Sequence, residues 1–180
     1  MLRDLDIEVL SLQSFPNVPE VEEDGKTFFE NALKKAREAS LHTREVVLAD
    51  DSGLEVDALG GEPGIHSARY SGPAATDETN NRKLLGEMEE VPEGKRGAAF
   101  RCVLVLYRPE GQSESFEGTW RGEILFEKRG TMGFGYDPLF LDPQRGLTAA
   151  ELPPEIKNRI SHRGRAFAKL TDWLEQQYKG

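Results

Sequence analysis

Cysteine is nearly absent from this chain: Cys102 stands alone among 180 residues. That excludes an intramolecular disulfide framework and any zinc site built from several thiolates. No apolar run approaches the ~20 residues needed to cross a bilayer. Met1 is followed by Leu2, Arg3, Asp4 and Leu5, not by the basic stretch and apolar core of a secretory leader. These absences point to a cytoplasmic protein with no membrane partner. Internal repeats and low-complexity stretches are lacking too. Basic charge is in deficit, with 23 Lys and Arg against 32 Asp and Glu and a formal net charge of −9. Nucleic acid demands a basic footprint, so it is not expected as a partner. A small polyanion is still admissible where local cations or a metal outweigh the global field.

What is present reads as a globular protein. Hydrophobic residues make up 37% and charged residues 31%, and apolar runs alternate with turn signals along the whole length instead of separating into a tail. The length suits a single domain over 1–180, with room for two lobes, and a chain of this size buries roughly 70% of the surface its unfolded form exposes. Ile7 to Leu12 has the content of a strand, and an acidic loop from Glu20 to Asp24 follows. Thr27 with Glu30 three residues on forms a capping box. Behind it Phe29, Ala32, Leu33, Ala36 and Ala39 recur at helical spacing, which predicts a helix over about 28–42.

Val46 to Ala49, the polar group Asp50, Asp51, Ser52, Gly53, and then alternating Leu54, Val56 and Ala58 predict strand, tight turn, strand. Thr76 opens a second helix through about Met88. Phe100 to Tyr107 is apolar on both faces except at Arg101, as a central strand would be. Ser115 to Glu127 predicts one or two returning strands, and Gly130 to Pro138 an irregular segment. Ser161 caps a last helix with Ala166, Phe167, Leu170, Trp173, Leu174 and Tyr178 along one stripe. The order gives an α/β protein with a mixed sheet flanked by helices.

Four segments could carry chemistry. Asp50 and Asp51 end an apolar strand, where one carboxylate can face a cleft while the other holds the turn; a solvated hairpin turn is the alternative. Glu20, Glu22, Glu23 and Asp24 could supply a carboxylate to magnesium, which takes one or two and fills its octahedron with water and substrate phosphates. A solvated acidic face would read the same. Thr131 to Pro138, TMGFGYDP, could stack a flat ligand on Phe134 or Tyr136, or be a loop anchored by two core aromatics. Between Glu155 and Arg165, Lys157, Arg159, Arg163 and Arg165 oppose only Glu155, whereas residues 1–60 carry 14 acids and 6 bases. A basic cluster at a helix start suits a phosphate or a carbonyl oxygen, although a basic surface helix would also show it.

Together these segments resemble the inosine triphosphate (dITP/XTP) pyrophosphatase family. The matching text is TFFENALKKA at 27–36, LADDSGLEVDALGGEPGIHSARYSG at 48–72, GFGYDP at 133–138, TAAEL at 148–152 and SHRGRA at 161–166. The resemblance implies an elongated α/β fold of two lobes with the active-site cleft between them. It also implies magnesium-dependent hydrolysis of non-standard purine nucleoside triphosphates (ITP, dITP, XTP) to the monophosphate and pyrophosphate by a homodimer.

Carried over by position, Asp51 is the general base and a metal ligand, Glu23 the second ligand and Asp50 their support. Lys35 and Lys157 meet phosphates or the nucleotide, and Ser52 contacts substrate. Phe134, Gly135, Tyr136 and Asp137 form the base and sugar wall, and His162 and Arg163 read the base. Members of the family open with a strand, a TxNxxK-type loop and a helix that cradle the triphosphate. This sequence shows no such element, and Leu2 to Leu5 read as the end of that helix. Nucleotide binding without catalysis therefore stands beside hydrolysis as a second expectation.

Overall fold

Helix α1 (Phe28–Thr43) starts where side chains satisfy its free amides. Thr27 Oγ1 accepts from Glu30 N at 3.1 Å, and Glu30 Oε2 accepts from Lys26 N at 2.6 Å, one residue earlier than a capping box would reach. Its buried stripe is Phe28, Ala32, Ala36 and Ala39; Phe28, not Phe29, is the aromatic that turns inward. The helix stops at Arg44, which adopts a left-handed conformation at φ 65 and donates its N–H to Ser40 O. The computed structural model describes residues 7–178. The helix end read at Leu2 to Leu5 lies outside them, as does the side chain of Tyr178.

The sheet has five strands in sequential order: β1 (Val47–Val56), β2 (Gly97–Tyr107), β3 (Ser113–Ile124), β4 (Phe140–Asp142) and β5 (Leu147–Thr148). The sequence order predicted a mixed sheet; β3 pairs antiparallel with β4, and β4 with β5. A tight turn joins β2 to β3, where Arg108 N donates to Gln112 O at 2.8 Å and Gly111 takes φ 96. Phe116, Gly118, Trp120, Gly122 and Ile124 of β3 are buried at every second position, the period of a strand with one covered face.

Helix α2 (Asp77–Glu87) begins at the Thr76 cap, the short α3 (Pro154–Ile160) precedes Ser161, and α4 runs over His162–Tyr178. Two further expectations are corrected. Ile7 to Leu12 forms no strand: Val9, Leu10 and Leu12 are exposed, and Ser11 caps a short 3-10 turn. Asp50 to Gly53 is not a turn but the middle of the unbroken strand β1. The strand is hydrogen-bonded to β2 in the sheet, and just past the Asp-Asp-Ser-Gly group Ser67 Oγ accepts from Leu54 N at 2.9 Å. Helix α3 had no counterpart among the expected elements: it is too short for an apolar stripe and is opened by Pro154 at its first turn.

The chain divides into two compact units. One comprises residues 1–51, 102–118 and 165–180, the other 52–101 and 119–164. In the first, Ala166, Leu170 and Leu174 of α4 are buried with Cys102 and Leu104 of β2 and Phe116 of β3. In the second, Phe100, Trp120 and Phe140 form an aromatic group with centroids 4.5–6.3 Å apart, inside a core that includes Leu54, Leu84, Leu139 and Leu152. That core is closed by Arg96, 4% exposed. Its guanidinium donates to the carbonyls of Ile124 (2.8 Å), Met88 (2.7 Å), Val91 (2.9 Å) and Leu125 (3.2 Å).

A Cβ on Gly122 would lie 2.4 Å from Leu141 O and 2.5 Å from the Phe140 ring. Both belong to the neighbouring strand, so neither can swing aside. Gly122→Ala is expected to destabilise the fold by about 2 kcal/mol, read as a lower urea midpoint with an unchanged slope.

Candidate active site

The first unit places two carboxylates on one cation. Lys35 Nζ is 2.8 Å from Glu23 Oε1 in the acidic loop and 2.9 Å from Asp51 Oδ1 on β1. Asn31, one turn before Lys35 on the same face of α1, is fully buried. It donates Nδ2 to Asp51 Oδ2 at 3.3 Å and accepts from Gly25 N at 2.8 Å on Oδ1. One amide side chain thus ties the acidic loop to the strand, and a Cβ on Gly25 would come 2.6 Å from that Oδ1.

Asp51 is 7% exposed. Burial pushes its pKa above the ordinary value, with the Lys35 hydrogen bond opposing. For Lys35 burial works downward, but the hydrogen bonds to Glu23 and Asp51 outweigh it and leave the ammonium above its usual range. Because β1 continues through this point, Asp50 and Asp51 point to opposite faces. Asp50 is half-buried, and half-buried Ser52 opens the portion of β1 that belongs to the second unit.

The two carboxylates fit a hard divalent cation. They already face a shared positive charge, both offer oxygen donors, and two carboxylates suffice for magnesium. Among the described residues no group of three or more His, Cys, Asp or Glu is arranged to hold a metal.

The second unit gathers the other expected residues. Phe134 is 62% exposed and lies between two cations, with Lys157 Nζ 5.2 Å and Arg163 Cζ 5.4 Å from its ring centroid. Asp137 is buried; it pairs with Lys157 and accepts from Phe134 N at 2.9 Å. A Cβ on Gly133 would fall 2.0 Å from Asp137 Oδ2, so the residue that precedes Phe134 has to be glycine. Tyr136 faces the core instead, donating its hydroxyl to Ser67 O at 2.8 Å, and Gly135 turns the chain at φ 61. His162 is 5% exposed and stacks on Phe100 at 4.8 Å. Ser161 Oγ accepts from Gly164 N at 3.2 Å and fixes the start of α4, which carries Arg163. An exposed aromatic flanked by cations, beside a buried carboxylate, can receive a flat, electron-rich ring that bears anionic groups.

The sequence matches the Ham1 family over residues 1–173. This chain belongs to the Ham1 family. It is 58% identical over 177 residues to the dITP/XTP pyrophosphatase of Geobacter sulfurreducens, covering 98% of this chain and 89% of that protein. It is 50% identical over 178 residues to the enzyme of the same name from Desulforamulus reducens, at 99% and 89% coverage. Among solved structures it resembles a HAM1 protein from Coxiella burnetii with TM-score 0.92 and 45% identity, covering 97% of this chain and 89% of the other.

The resemblance drawn from the five motifs is therefore borne out, as is an α/β fold with its sheet flanked by helices. One feature of this Ham1 chain escaped the sequence reading. Asn31 sits inside TFFENALKKA, yet a single amide among helix formers carries no motif signal. Its spacing of four residues from Lys35 was the only available clue.

Proposed function

We propose that this Ham1 protein hydrolyses dITP and XTP, and ITP with them, to the nucleoside monophosphate and pyrophosphate. The observation that carries the reading is the convergence of Glu23 and Asp51, 28 positions apart in sequence, on the Lys35 ammonium. A triphosphate needs concentrated positive charge in an otherwise acidic protein, and paired carboxylates recruit it as a divalent cation.

Glu23 and Asp51 would hold Mg2+. When bound, the ion screens phosphate charge and polarises the phosphorus under attack. Asp51 orients a water molecule and takes its proton as the new P–O bond forms and the anhydride bond between the α- and β-phosphates breaks. A carboxylate lifted above its ordinary pKa by burial is better matched to that proton than an exposed one. Asp50 supports this strand segment, and Ser52 contacts substrate.

Lys35 and Lys157 bind phosphate oxygens. Phe134 stacks on the purine, while the Gly135 to Asp137 segment shapes its wall. Arg163 and His162 place donors toward a 6-oxo group. Adenine presents a 6-amino donor there and leaves those donors unpaired, which is the costly outcome. The dimer, the magnesium requirement and the cytoplasmic setting are part of the same proposal; no helix among the described residues is long and apolar enough to cross a membrane.

Pyrophosphate release with magnesium tests the reading. Specificity constants for dITP and XTP are expected to exceed that for dATP by about 10²-fold or more, with light scattering reporting the dimer. Nucleotide binding without release would establish the non-catalytic reading instead.

A further inference from the structure

The stacking face at Phe134 lies in a segment with no regular secondary structure, so something must fix its backbone. Residues 131–138 have few internal hydrogen bonds, and Gly135 is held from outside at both ends of its polar backbone. Gly135 N donates to Asp77 Oδ2 at 2.6 Å, and Gly135 O accepts from Asn81 Nδ2 at 2.8 Å. The two side chains are four residues apart on α2, hence one above the other on a single face. Asn81 is 2% exposed, and its Nδ2 also donates to Asp77 O at 2.7 Å, which fixes the amide to the helix before it reaches the loop. Gly135 takes φ 61, a left-handed conformation without intrinsic preference to hold it once the contacts are lost.

The two neighbours of Gly135 diverge from this clamp. On one side the exposed Phe134 ring lies between Lys157 and Arg163. On the other Tyr136 drops into the core, and Asp137 turns back to accept from Phe134 N. A peptide flip at Gly135 would turn the ring away while leaving Tyr136 anchored.

We propose that Asp77 and Asn81 are positioning residues for purine recognition: by gripping the backbone N–H and C=O of Gly135 they fix the peptide groups on both sides of it and set Phe134 as a fixed stacking surface. The inference rests on the nucleotide reading of the site and adds to it two residues that touch neither base nor phosphate.

The test uses the full chain with Asp77→Ala, Asp77→Asn and Asn81→Ala. Asp77 is exposed and Asn retains an acceptor oxygen for Gly135 N, so Asp77→Asn is the conservative rescue. The two alanine variants are expected to raise KM for dITP about tenfold, the effect of losing one charge-assisted or buried hydrogen bond. Inhibition by inosine monophosphate is expected to weaken by the same factor, and kcat to stay within about threefold. Inhibition by inorganic pyrophosphate, which needs no stacking surface, should be unchanged, and Asp77→Asn should restore KM to near the unaltered value. Hydrogen exchange at residues 134–136 should accelerate in Asp77→Ala with little change in Tm.

An unchanged KM in Asp77→Ala overturns the proposal. Equal weakening of monophosphate and pyrophosphate inhibition does so too, as does failure of Asp77→Asn to rescue. If the unaltered chain releases no pyrophosphate, the nucleotide hydrolysis reading falls and this inference with it. Normal turnover combined with indifferent variants removes only the positioning role.

Discussion

Asp51→Asn is expected to lower kcat for dITP by about 10³-fold, the scale of a lost general base, while the protein stays folded. Asparagine has the same shape but one acceptor oxygen, so it can accept from Lys35 or from Asn31, the two donors that Asp51 meets now, while its amide nitrogen faces the other. What it cannot do is take a proton from water or contribute charge to a divalent cation.

The fold loses one of those two hydrogen bonds in the exchange, and an electrostatic gain offsets it. Burial raises the pKa of Asp51 in spite of Lys35, and an acid whose pKa is raised on folding is less stable in its ionised form within the native state than in the unfolded chain. The sign follows: at neutral pH the ionised carboxylate weakens the native state, and that weakening is relieved as pH falls through its folded pKa. A neutral isostere is relieved of it at every pH, which offsets the lost hydrogen bond, so Tm is expected to change little while activity collapses. Pyrophosphate release and thermal unfolding on the same preparation check both halves. Retention of more than about a tenth of kcat would remove Asp51 from the role of base.

Arg96→Met is expected to have the largest effect on stability, about 3–5 kcal/mol, the range for stranding buried polar partners. Its guanidinium meets four backbone carbonyls from three places: Met88 and Val91 after α2, Ile124 at the end of β3, and Leu125 just beyond. No side-chain acceptor is involved, so the loss cannot be met by a rotamer change of a partner. Burial lowers the pKa of Arg96, but a guanidinium remains charged at any pH where the protein is folded. Methionine fills much of the stem volume and none of the donors. At roughly 2–4 °C per kcal/mol for a chain of this size, Tm should fall by about 10 °C. Arg96→Lys should lie between, because one ammonium cannot reach the whole fan of carbonyls. A drop under about 3 °C would mean that water replaces the guanidinium at little cost.

The legible parts of this fold were those decided locally. The Thr27 and Thr76 caps, the alanine stripe of α1 and the apolar run from Phe100 to Tyr107 each state their conformation within one or two turns of chain. The misread parts were decided by distant partners. Asp-Asp-Ser-Gly has the composition of a turn, and it is extended because β1 pairs along the sheet with β2, more than 40 residues on in the chain. Ile7 to Leu12 has the composition of a strand but gains no partner strand.

The site divides in the same way. Charged and aromatic members such as Asp51, Lys35, Phe134 and Lys157 announce themselves by residue type and motif. The amides that orient them, Asn31 and Asn81, do not, since a buried asparagine acquires its role only from the groups that folding brings to it.

The boundary between the two compact units is crossed four times, between residues 51 and 52, 101 and 102, 118 and 119, and 164 and 165. Every crossing falls inside β1, β2, β3 or α4, and none in a loop. Neither unit is therefore a cassette. A nick in any surface loop leaves both halves covalently and structurally joined, and neither can be excised, swapped with a relative or expressed alone without severing a strand or a helix. Such a chain can change by substitution and by growth of its loops, but it cannot be reassembled from parts.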